Sequence, residues 1–281
     1  CAITAGVAAL ILSVNPELTD NEVQFILKYS SDKVGGYNYN WNPDKPGHSK
    51  ELGYGRINAF NALKLALGQI SVGDITITDN LEWNSNWMLN GNLTIKTNAT
   101  LTVKSEVLFA TGKKIVVERG AKLIVDGGSL KGNNCTWKGI ELWGNKSQKQ
   151  LAATQGTVEL KNGAVIEDAV VAIQTYKPGS RSYTGGIIYA EDAIFRNNQT
   201  DVQFDTYANI SSGTEYSNLS YFKNCDFETT GTCRFATITR HAWLNSVNGI
   251  KFYGCRFMER RTGLDVLRYG AKGIDASLSG F

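Results

Sequence analysis

The chain has little that would tie it to a membrane, a nucleic acid or a metal. Its 281 residues contain no run of 18 apolar residues, so no segment reads as a spanning helix. The formal net charge is only +3, too small to argue for a nucleic-acid partner. Histidine occurs twice, at His48 and His241, and His241 has no second histidine or cysteine at metal-ligand spacing. The five cysteines (Cys1, Cys135, Cys225, Cys233 and Cys255) are odd in number and lack C-x-x-C spacing, which yields neither a disulfide framework nor a zinc site. No motif asks for a cofactor. With 42% hydrophobic and 20% charged residues the composition is globular rather than disordered, and the length allows one large domain or two ordinary ones.

What is there begins with an apolar helix. In Cys1–Val14, Ile3, Val7, Leu10, Ile11 and Val14 follow helical spacing, and Ala2, Ala5, Gly6 and Ala9 form a second, small-residue face. A helix apolar nearly all round is expected to be buried, and at this length it is too short for a bilayer. Asn15-Pro16 ends it. A core helix with neither cap nor leader reads as a chain entered in mid-domain, so the missing signal peptide decides nothing about secretion.

Thr19-Asp20-Asn21-Glu22 next forms a capping box, with Thr19 as N-cap, ahead of a helix whose Val23, Ile26, Leu27 and Ser30 share a face. Residues 31–52, rich in Gly, Asn and aromatics and holding Pro43 and Pro46, form a long surface loop packed by Tyr37, Tyr39 and Trp41. His48 lies in that loop and is expected to be a solvated imidazole. Asn58 caps a further helix, and Gly68 ends it.

The segment Thr4-Ala5-Gly6-Val7-Ala8-Ala9-Leu10, with Asn15-Pro16 and then Gly53-Tyr54-Gly55-Arg56-Ile57-Asn58-Ala59, resembles the C-terminal end of a subtilisin-like (S8 family) serine protease domain. In that family the buried helix follows the nucleophile motif Gly-Thr-Ser-x-Ala-x-Pro; Ala2 stands where the family usually has proline. The resemblance covers about Cys1 to Leu67. It implies a nucleophilic serine three residues before Cys1, and an Asp, His, Ser triad order that puts all three groups upstream. The chain as given is therefore expected to carry no catalytic residue.

From about Asp74 the hydrophobic period changes from 3.6 to 2. Residues 75–77, 93–95, 101–103, 107–109, 115–117 and 123–125 read as short strands between Gly, Asn and Lys turns. Asn98–Val103 and Gly120–Val125 are near copies 22 residues apart. Ala164-Val165-Ile166, Ala193-Ile194-Phe195, Cys225-Asp226-Phe227 and Cys255-Arg256-Phe257 then align at spacings of 29, 32 and 30 residues. Such a period predicts a right-handed parallel β-helix with Phe195, Phe227 and Phe257 in one interior column and Cys225 and Cys255 stacked as free thiols. A β-sandwich is the alternative, but it does not explain the 30-residue register. Gly120–Gly128 and Trp137–Gly144 also resemble the pectin-lyase-like β-helix regions of secreted bacterial surface proteins, which implies an architecture and not lyase activity.

Polysaccharide lyases of that fold use acidic residues for calcium with a basic residue nearby. The candidates here are Asp168, Asp192 and Asp226, with Arg196 or Arg256; Asp226, Arg256 and Ile194 share one repeat position, so no acidic cluster lines up. Solvated turn carboxylates are the expected reading. Trp137 and Trp143 either stack on a sugar or cover a coil edge, the latter preferred, and His241 is expected at the surface. Seven N-x-Ser/Thr sequons (Asn92, Asn98, Asn134, Asn145, Asn198, Asn209 and Asn218) are explained by turn chemistry.

The reading is of a mixed chain. Residues 1–67 are the helical remnant of an α/β subtilisin-like peptidase domain, 68–74 a linker, and 75–281 an all-β right-handed parallel β-helix that continues beyond Phe281. The function expected is that of a C-terminal piece of a secreted or cell-surface serine endopeptidase, acting on protein or peptide, with a non-catalytic β-helix for a polysaccharide or cell-surface ligand. The alternative is a surface adhesin or carbohydrate-binding β-helix without peptidase activity.

Overall fold

The computed structural model describes residues 2–42, 45, 47–68, 71, 73–261 and 272–277. Three helices come first: α1 (Ala2–Val14), α2 (Asp20–Ser30) and α3 (Ala59–Ala66). The capping box at α2 forms in full, since the Glu22 N–H donates to Thr19 Oγ1 and the Thr19 N–H donates to Glu22 Oε2. Asn58 caps α3 by accepting the Asn61 N–H at 2.9 Å, and beyond the helix Gly68 adopts a φ of +64°.

One expectation fails at α1. Val7 and Ile11 are buried against α2 and α3, but Leu10, Leu12 and Val14 are exposed and Ile3 is 74% exposed. Among the described residues nothing covers that outer face, so the helix presents its apolar stripe to solvent. The loop at 31–52 behaves as a surface excursion, with Tyr37 and Trp41 exposed and Tyr39 half-buried; Pro43 and Pro46 lie outside the described residues, as do Cys1 and, in the expected linker, Gln69, Ile70 and Val72.

From Ile75 onward the chain winds through three parallel sheets in rotation. Among the described residues the first has eight strands, from Ile75–Ile77 to Lys272–Ser277; the second has seven, from Leu81–Trp83 to Lys251–Tyr253; the third has seven, from Trp87–Leu89 to Arg256–Glu259. Each strand pairs in parallel with its counterparts one turn before and one turn after, an arrangement consistent with a β-helix and incompatible with an antiparallel sandwich. The exception among the described strands is an antiparallel hairpin, Asn209–Ser211 with Thr214–Tyr216, which projects from a corner.

Stacking makes the columns that the repeats predict. Leu101 pairs with Leu123, which is the register of the two near copies. Ile166, Phe195, Phe227 and Phe257 follow one another in the third sheet, with ring centroids 4.8 Å apart for Phe195 and Phe227 and 4.7 Å for Phe227 and Phe257. Burial alternates strictly along strands such as Thr100–Val103, Glu106–Phe109 and Lys122–Asp126, which is why short apolar and polar alternation is the sequence signal there.

The helices and the coil meet closely. Phe25 of α2 lies edge-on to Trp87 at 4.9 Å and to Trp83 at 5.8 Å, so the helix covers the open end of the first turn. Glu22, fully buried, accepts the N–H groups of Asn84 and Ser85 through Oε1 at 2.9 and 3.0 Å. A continuous set of buried apolar residues runs from Val7 to Ile250.

Candidate functional site

The candidates named from the sequence are not brought together. Asp168 sits at the corner between the third and first sheets, Asp192 at the corner between the second and third, and Asp226 on the third sheet itself. Asp168 is held by Arg234 at 3.3 Å; burial, and then the charge of Glu167, raise its carboxyl above the ordinary range. Asp192 serves a turn with a φ of +52°. Asp226 forms a two-pronged pair with Arg256, each contact 2.6 Å, and Arg196 is taken by Glu228 at 2.8 Å. Among the described residues no group of three His, Cys, Asp or Glu gathers to hold a metal ion.

Of the two tryptophans, Trp137 departs from expectation. Trp137 is fully buried and stacks on Phe109 at 4.4 Å, its indole N–H donating to the Glu167 carbonyl, so it is core rather than an edge cover or a sugar platform. Trp143 is half-buried on the outer face of the first sheet. Its indole N–H donates to Glu141 Oε2 at 3.1 Å, and the Lys177 ammonium lies 4.3 Å over its ring. The sequons behave as turn and network residues: Asn98 and Asn134 have left-handed φ, and Asn198, Asn209 and Asn218 are buried.

His241 is also misplaced by the sequence reading, because it is buried and not at the surface. Its Nδ1 lies 2.6 Å from Asp201 Oδ2, and Asn198 donates to the other carboxylate oxygen at 2.8 Å. The cause is a β-bulge. The register between the strands of Gly139 and Val171 slips after Gly139, and in the turns that follow the pairing skips Ala172, Asp201 and His241. Simple alternation puts His241 outward, beside the inward Ala242; the bulge turns it in against Phe227 and Phe257. Gly139 has a φ of +91°, and a Cβ there would meet the Val171 carbonyl, so the bulge has a sequence mark that alternation alone does not read.

Two surfaces offer concentrated polar and aromatic groups. On the outer face of the first sheet, register aligns Glu141, Gln174, Gln203 and Trp243 in successive turns. Lys114 meets Glu141 Oε1 at 2.5 Å, Tyr176 donates to Gln203 Oε1 at 2.8 Å, and the Arg240 guanidinium lies 5.7 Å from the Trp243 ring centre. The second surface is a cleft of about 700 Å³ between α2 and the first turn of the coil, lined by Phe25, Lys28, Tyr29, His48, Tyr54 and Asp79. His48 is part-exposed at this surface, as expected, and it also has ring partners. Its Nδ1 accepts the Trp41 indole N–H at 3.3 Å and its ring stands edge-on to Tyr54 at 5.1 Å.

Over 67 residues the chain is 51% identical to the calcium-dependent proteases of Trichormus variabilis and of a Nostoc species, and over 72 residues it is 31% identical to the protease KEX1 of Kluyveromyces lactis. The matches take in 24–25% of this chain and 10% of each relative, so the chain spans about a tenth of the length of the curated proteins it matches. No family model matches it, and no solved structure does.

Proposed function

We propose that residues 1–67 are the C-terminal end of a subtilisin-like serine peptidase domain, that 68–74 join it to residues 75–281, and that the latter are a right-handed, pectin-lyase-like parallel β-helix without catalytic activity. The whole protein is then a secreted or cell-surface endopeptidase acting on protein or peptide substrates. The observation that carries this reading is the 51% identity over 67 residues to proteins named as proteases, a length equal to the stretch from Cys1 to Leu67 that holds both motifs. The exposed apolar stripe of α1 supports it, because a helix evolved for burial shows this pattern when part of its packing surface lies elsewhere.

The test is labelling with a serine-directed fluorophosphonate. The 281-residue chain is expected to stay unlabelled and to hydrolyse no chromogenic peptide, while the gene product extended upstream is labelled and active. An extended product that neither reacts nor cleaves removes the peptidase reading.

A second reading, a glycan-binding coil, is favoured by the column Gln174, Gln203 and Trp243, since aromatic faces and planar polar groups in a row suit sugar rings. In affinity electrophoresis through embedded polysaccharides, retardation that Trp243→Ala abolishes supports it. Equal mobility of both proteins in every polysaccharide removes it.

A further inference from the structure

Cys225 and Cys255 are free thiols in this structure, stacked as the sequence predicts, and we infer that they are a pair that oxidises to a disulfide across two successive turns of the coil, a cross-link between neighbouring rungs near its far end. The pairing follows from the backbone. Asp226 and Arg256 are register partners in the third sheet, and the Arg256 N–H donates to the Cys225 carbonyl at 3.0 Å, so the two cysteines just ahead of that pair lie one above the other at a shared corner. Parallel neighbours are about 4.8 Å apart, inside the roughly 4.4–6.8 Å span of Cα separations that a disulfide bridges.

The sulfurs also converge. Cys225 Sγ lies 3.3 Å from the Lys223 carbonyl, and Cys255 Sγ reaches back across the rung to within 3.4 Å of the Phe222 carbonyl. Cys255 Sγ also lies 3.6 Å from the Tyr253 carbonyl of its own turn, and the two thiols are hydrogen-bond partners of each other. Among the described cysteines, Cys135 and Cys233 have no such partner, each lying against backbone carbonyls.

The two thiols differ in a way that orders the reaction. Cys225 is fully buried, and the hydrogen bond with Cys255, then burial, pushes its thiol up; Cys255 is half-exposed and its thiol is lowered to about 7 by the hydrogen bond from Cys225. Cys255 is thus the entering thiolate and Cys225 the resolving thiol. The oxidant is a small disulfide, RSSR. The Cys255 thiolate attacks one of its sulfurs, the S–S bond breaks and RS⁻ leaves. Cys225 then loses its proton and attacks the Cys255 sulfur of the mixed disulfide, releasing the second RS⁻. Two protein thiols become one disulfide, RSSR becomes two RSH, and the two protons from the cysteines end on the released thiols.

The inference is independent of the peptidase reading. It is tested on the full chain, reduced and then exposed to oxidised glutathione at pH 8. The expected result is an intact mass lower by two hydrogens, a peptide map joining the segments that hold Cys225 and Cys255, and a Tm several degrees above that of the reduced protein, because the bridge closes a loop of about 30 residues. In a background with Cys1, Cys135 and Cys233 changed to serine, Cys225→Ser is expected to keep one glutathione on Cys255, whereas Cys255→Ser reacts far more slowly. If the wild-type chain retains all its thiols, or ends with glutathione on Cys255 and Cys225 still alkylatable after unfolding, the inference is overturned.

Discussion

Phe227 shows how much a single position in the coil carries. Its ring is stacked on Phe195 below and Phe257 above and touches Phe222, so truncation empties the centre of an aromatic column. Phe227→Ala is expected to cost about 3–5 kcal/mol in denaturant unfolding. Lys223→Ala removes an exposed pair with Glu191 and is expected to leave stability essentially unchanged; equal losses at both positions would contradict the column. Charge at the surface acts more locally. The hydrogen bond from Lys104 holds the Glu82 carboxyl below its ordinary range, as Asn58 and then Arg56 do for Asp32. A carboxyl lowered by folding contributes stability that is present above the unfolded carboxylate range of about pH 4 and is lost as pH falls through the folded value. In a carboxyl-detected NMR titration Lys104→Met is expected to bring the Glu82 midpoint back up and to leave Asp32 unchanged. A Glu82 midpoint insensitive to Lys104 refutes the assignment.

Among the elements, α2 has the largest structural duty. Its first turn caps itself through Thr19 and Glu22, and the same Glu22 carboxylate binds the N–H groups of Asn84 and Ser85 in the first turn of the coil. One buried carboxylate therefore serves a helix terminus and a loop that has no other described acceptor for those amides. Glu22→Ala leaves these donors unpaired, and its expected cost is about 3 kcal/mol, from a lost cap and lost hydrogen bonds to a charged group. Equilibrium unfolding measures it; a change under about 1 kcal/mol would mean that water replaces the carboxylate at no loss. The three-turn face predicted for α2 is legible because helical spacing states it directly. That a different side of the helix, through Glu22 and Phe25, would close the end of a solenoid is not, since Trp83 and Trp87 lie in strands of three residues that give almost no periodic signal.

At the scale of the molecule the two parts depend on each other unequally. Residues 1–67 alone have a central helix apolar on its outer face and lose the coil that buries Phe25, so this piece is expected to aggregate or to exchange its amides rapidly. A soluble monomer with a cooperative melt would contradict that. Residues 75–281 keep the stacked sheets but expose Trp83 and Trp87 and the unpaired edge of the first turn, and are expected to stay folded while associating end to end. Sedimentation velocity over a range of concentrations checks this; a monomer at every concentration means that α2 is not needed as a cover.

Periodicity by itself determined the change from helix to strand near Asp74, the third-sheet column of Phe195, Phe227 and Phe257, the capping box at Thr19 and the dispersal of Asp168, Asp192 and Asp226. Each of these is a statement about spacing along the chain, and in a coil whose turns stack in register, spacing becomes position directly. Tertiary structure decided the rest. His241 is buried because its own strand carries the bulge that begins beside Gly139, three turns earlier, which turns His241 inward next to the inward Ala242. Trp137 is core because Phe109, on a different sheet, stacks against it. The outer face of α1 is exposed because burial is a property of neighbours, and a helix carries in its own residues only the need for them.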